Sequence, residues 1–156
     1  MSISLQGSNA LTATLTSCGL AIGSTTSQFS TANTTTYVIR GRLYSKAADA
    51  TEPLTIEPGT GIVPTAPNTL QTLAAGQSCA FAVLLDTAGA FTVMQGDIVP
   101  AGASTPVPSP VAGKAIIGAI KVSNVTNPFI PGTTAFTATG VTTTYINLSQ
   151  HPGAAV

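Results

Sequence analysis

Few side chains in this sequence have the types and spacing that catalysis requires. His151 is the single histidine and lies beside Pro152 in the C-terminal stretch HPGAAV. A Ser-His-Asp arrangement with Asp86 or Asp97 would need a nucleophile on a strained turn, and no G-x-S-x-G segment accompanies it. His151 therefore reads as a solvated tail residue. Glu52 and Glu57 flank a proline-containing segment and could serve as the two carboxylates of glycoside cleavage. Sugar sites usually add aromatic platforms, whereas this chain has no Trp and only 5% aromatic residues. Cys18 and Cys79 lie far apart with no C-x-x-C spacing, and read as small buried apolar residues. One histidine, no cysteine cluster and no Asp/Asn-rich loop offer neither a zinc nor a calcium constellation, and no G-x-x-x-x-G-K-[ST] segment cradles phosphate. The sequence implies no cofactor and points away from an enzyme. T-x-T spacing at Thr12–Thr14 and Thr137–Thr139 could serve ice binding, but the regular repeat that such arrays need is missing.

What remains is a binding chemistry. TTTYVIRGRLYSKA, residues 34–47, holds three of the five cationic residues. Read as one strand from Thr35 to Ser45, it places Tyr37, Ile39, Gly41 and Leu43 on a core face and Arg40, Arg42, Tyr44 and Lys46 on the other. Such a strip either solvates the strand and discourages edge pairing, or pairs with carboxylates on a partner.

Charged residues make up 6% of the chain and the formal net charge is zero, against roughly 25% charged in ordinary globular proteins. The surface must be mostly Thr, Ser, Gly, Ala and Asn, and so weak a charge density promotes association. A face covered by a partner or by sister copies is expected. Nucleic acid would require a dense basic patch, which isolated cations do not supply. Polar residues, Gly and Pro interrupt every uncharged stretch before it reaches a membrane span. MSISLQGSNA lacks the basic start and apolar core of a secretory signal.

The chain fits a single domain over residues 1–156. Glycine, proline and Asn-rich joints divide it into short segments with β-branched residues in period-two order, which predicts an all-β fold. Strands are expected at Leu11–Thr16, within GLAIG (19–23), at Thr35–Ser45, Ser78–Leu85, Ala90–Met94, Lys114–Val122, Ala135–Thr137 and Val141–Leu148, and a short one at Leu54–Ile56. KAADATEP and EPGTGIVPTAPN read as loops. Ser78–Leu85 and Ala90–Met94 should form a hairpin with Gly89 at positive φ. KAIIGAIKV should be buried on both sides, with a bulge or close approach at Gly118. Residues 99–113 form a Pro-rich surface loop, residues 1–17 an N-terminal arm and 149–156 a tail. Such strands favour a two-sheet β-sandwich of jelly-roll or immunoglobulin-like kind.

Two regions carry a family resemblance. GLAIGSTTSQFSTANTTTYVIRGRLYSKAAD, and then AAGQSCAFAVLLDTAGAFTVMQGD with IIGAIKV and FIPGTTAFTATGVTTTYINLS, resemble small structural proteins of tailed bacteriophages. The resemblance implies a capsid decoration, or cement, protein: a β-sandwich outside an icosahedral head, commonly a homotrimer, clamping the major capsid protein. It also implies assembly in the host cytoplasm and a final place on the capsid exterior. A tail, fibre or host-attachment component is the alternative. The segments expected to touch the shell or sister copies are the arm from Ser2 to Leu15, the strip Arg40, Arg42, Tyr44 and Lys46, and the loop carrying Pro106, Pro108 and Pro110.

Overall fold

The computed structural model describes residues 11–124 and 126–149; His151, the tail beyond Ser149 and residues 1–10 of the expected arm lie outside the described residues. The described chain is all β, with no helix. In chain order its strands are β1 (Ala13–Thr14), β2 (Leu20–Ile22), β3 (Phe29–Thr31), β4 (Thr35–Ile39), β5 (Arg42–Lys46), β6 (Asp49–Glu52), β7 (Gln77–Leu85), β8 (Phe91–Gln95), β9 (Val99–Pro100), β10 (Ala115–Asn124) and β11 (Val141–Asn147). They form three antiparallel sheets: β1-β4-β5, β2-β3-β6, and a larger sheet in the order β11-β10-β7-β8, with β9 paired to the start of β7.

The larger sheet follows from its sequence. β7 is apolar on both faces and Ser78–Leu85 is buried throughout, as a central strand between β10 and β8 requires. Cys79, Phe81, Val83 and Leu85 enter the main core with Phe91 and Val93 of β8 and Ile120 and Val122 of β10. Tyr37 and Ile39 from one small sheet, and Leu20 and Phe29 from the other, complete the same core. On the opposite face Ala80, Ala82 and Leu84 are also fully buried. The Pro-rich segment lies over part of that face, since a side chain at Gly96 would come 3.1 Å from the carbonyls of both Ala80 and Pro106.

β10 carries the expected irregularity. Its register with β7 shifts between Ile116 and Gly118, and the extra residue, Ile117, is buried in the core. A methyl group on Gly118 would collide with the Leu20 side chain and the Ile146 carbonyl. Only glycine lets β2 and β11 close over this point.

Several expectations need correction. Residues 35–45 are a hairpin rather than one strand: β4 and β5 pair with Ile39 opposite Arg42 and Tyr37 opposite Tyr44, so Arg40 and Gly41 form a two-residue turn. Their φ values of 50° and 75° are the left-handed pair of a type I′ turn. Reversing the chain there moves Leu43 off the core face and leaves it 66% exposed, while Tyr44 comes to share a face with buried Tyr37. KAADATEP contains β6 rather than only loop. Phe29–Thr31 is a strand that the sequence reading passed over. Ala135–Thr137 is turn, not strand, and the expected strand at Leu11–Thr16 shortens to two residues. Leu54–Ile56 contributes only an isolated parallel bridge, Ile56 to Val93.

Candidate functional site

The turn that joins β4 to β5 is held from beneath. The Arg40 backbone N–H donates to Thr12 Oγ1 at 3.2 Å, and the Gly41 N–H donates to the Leu11 carbonyl at 3.0 Å. Residues 11–12 thus brace the hairpin tip, and both Arg40 and Arg42 side chains are left exposed. Neither makes an ion pair among the described residues. Leu43 follows Arg42 in the chain, and Leu11, 55% exposed, is held beside the tip by its carbonyl. Arg40 also reaches the end of the Pro-rich segment, where its guanidinium lies 3.8 Å from the point a Gly113 side chain would occupy. The tip therefore joins cationic groups with exposed leucines, a combination suited to a carboxylate-bearing protein surface.

The other two residues of the expected strip do structural work. Tyr44 stacks on Tyr37 with ring centroids 5.6 Å apart. The Tyr37 hydroxyl donates to the Asp86 carbonyl at 2.8 Å, which ties the hairpin to the turn after β7. Lys46 lies 5.1 Å from the Phe91 ring centroid and 3.6 Å from Asp49 Oδ2. Its charge is already engaged. β5 is also the outer strand of its sheet, where Arg42 and Lys46 oppose edge-to-edge pairing. In the Pro-rich loop, Pro106 and Pro110 are exposed, whereas Pro108 is half-buried, its ring close to Gly96. Thr105 is buried. Part of this segment, around Thr105 and Pro108, thus lies against the protein's own fold.

The remaining reactive types are occupied. Cys18 and Cys79 are both buried free thiols. Burial pushes the Cys18 thiol up, and raises Cys79 to about 12 despite the Gln95 amide beside it. The two glutamates belong to separate clusters. Glu57 accepts from Thr92 Oγ1 at 2.6 Å and pairs with Lys114 at 2.8 Å. Burial raises Glu52, and a hydrogen bond shared with Asp49 raises it further while lowering Asp49.

Leu43 is the residue that sequence reasoning misses, whereas Leu11 falls within the Ser2 to Leu15 arm already expected to make contact. A single unbroken strand puts Leu43 on the core face, and the turn at Arg40 and Gly41 reverses that. Arg-Gly is not one of the residue pairs that mark a two-residue hairpin, so the sequence carries no signal for this turn. No family model, curated protein or solved structure matches this chain.

Proposed function

We propose that this chain is a small structural protein of a bacteriophage virion that binds the outside of the capsid and cements the major capsid protein. Its described sheets would form a two-sheet β-sandwich, jelly-roll or immunoglobulin-like in order, with the two small sheets opposing the large one across their shared core. The observation that carries the binding site is Arg40. Both central positions of a type I′ turn have positive φ and favour Asn-Gly, and a non-glycine residue there costs on the order of 1 kcal/mol. An arginine held in that conformation, exposed and without an ion pair among the described residues, serves the turn poorly and a partner well. Arg42, Leu43 and Leu11 extend the contact, and exposed Pro106 and Pro110 provide a second one.

A low charge density fits repeated contacts between neutral surfaces. Modest interfaces of this kind gain from several linked copies acting at once, which favours the homotrimer. The test is sedimentation of purified protein with undecorated heads. Replacing Arg40 with Asn and Arg42 with Ser should reduce occupancy while the melting temperature stays level or rises. Full occupancy by that double variant would return the hairpin to a purely structural role.

A further inference from the structure

β10 begins at Ala115, which lies opposite Leu85 on β7. The preceding Lys114 therefore meets Asp86, where the chain leaves β7. Lys114 Nζ lies 3.8 Å from Asp86 Oδ2 and 2.8 Å from Glu57 Oε2. Glu57 reaches this point because the Glu57 and Val93 backbones are joined: the Glu57 N–H donates to the Val93 carbonyl at 2.8 Å. Thr92 Oγ1 donates to the same Oε2 and is itself 3.4 Å from Nζ. The Glu57 and Lys114 side chains retain 12% and 16% of their exposure, so bulk water competes weakly for them.

The second Asp86 oxygen is held differently. Oδ1 accepts the Ala88 N–H at 2.8 Å and the Ala90 N–H at 2.9 Å. Two backbone donors on one oxygen stabilise the negative charge that builds up when a carboxyl carbon is attacked. Oδ2 is left facing the amine. A nucleophile, an acceptor oxygen with two donors, a leaving oxygen and a carboxylate within reach of the proton form one cluster.

We propose that Lys114 and Asp86 condense to an intramolecular amide, with Glu57 as the proton carrier. Proton transfer from the ammonium to Asp86 Oδ2 first gives an amine and a neutral Asp86 carboxyl group. Nζ then attacks Cγ, and the oxyanion forms on Oδ1. Glu57 takes a second proton from the nitrogen and delivers it to Oδ2, the Cγ–Oδ2 bond breaks, and water leaves. An ammonium and a carboxylate enter, one amide and one water result, and Glu57 ends as it began. No oxidant or reductant is needed. The bond would close residues 86–114 into a ring that includes β8 and the Pro-rich segment. This inference does not depend on the virion reading.

The test is the intact mass of the purified full chain, followed by trypsin digestion. The expected mass is one water below that of the sequence. Trypsin does not cut after an acylated lysine, so residues 47–121 should remain one fragment carrying the same deficit. Glu57→Gln and Lys114→Met, each checked for native circular dichroism, should both have the full mass. A wild-type chain that stays at full mass on prolonged incubation would overturn the proposal. So would a water loss that survives in Lys114→Met, since that points to a cyclic imide at an aspartate. Retention of the loss in Glu57→Gln would overturn the role given to Glu57.

Discussion

Arg40 concentrates the tension between folding and binding. Asparagine tolerates the left-handed conformation better, so Arg40→Asn should raise the unfolding free energy by about 0.5–1 kcal/mol in a denaturant titration. A loss of stability on that substitution would mean that the guanidinium is held by the protein itself. Gly118 makes the opposite demand. Gly118→Ala drives a methyl group into Leu20 and the Ile146 carbonyl, and should destabilise by about 1–3 kcal/mol. Desolvated thiols and phenols, Cys79 and Tyr145 foremost, shape the response to alkali. Burial pushes both the Cys79 thiol and the Tyr145 hydroxyl up to about 12, from ordinary values of 9.0 and 10.0. A folded-state value above the unfolded one contributes stability in full below the unfolded value and loses it as pH rises through the folded one. Urea midpoints should therefore be flat through neutral pH and fall between about pH 9 and 12. Cys79→Ala should flatten the first part of that fall, and an unchanged slope would contradict the assignment.

Among the elements, those legible in the sequence are the ones whose pattern is set by burial. β7, β8, β10 and β11 were expected close to their observed places, because SCAFAVLL and KAIIGAIKV are apolar on both faces and the Asp86–Gly89 turn has its glycine at positive φ, 77°. The β4–β5 hairpin was hidden because Arg-Gly stands where Asn-Gly would announce the turn. β6, sequence DATE, has no apolar alternation and is a strand only because β3 offers it backbone partners. The site was half legible: the cations were found, but which of them are exposed depends on the turn. One contact between elements was beyond any sequence pattern. Asn147 Oδ1, on β11, accepts the Leu20 N–H at 2.6 Å and the Cys18 thiol at 3.3 Å, joining β11 to the chain entering β2. Asn147→Ala leaves that N–H without its acceptor and should cost about 1–3 kcal/mol, measured by thermal or urea unfolding. A change below a few tenths would show that the bond is replaced by solvent.

At the scale of the whole molecule, part of the small charge complement is spent internally. Lys114 joins Glu57 and Asp86, Lys46 joins Asp49, and Arg40, Arg42 and Lys121 make no ion pair among the described residues. Exposed cations on a chain of zero net charge would give orientation to a surface that is otherwise neutral. The most direct test of the decoration reading is immunogold electron microscopy of particles from a producing lysate, with antibody against this chain. The account predicts gold distributed over the heads. Gold confined to tails would move the protein to an attachment role, and particles without gold would contradict a place in the virion altogether.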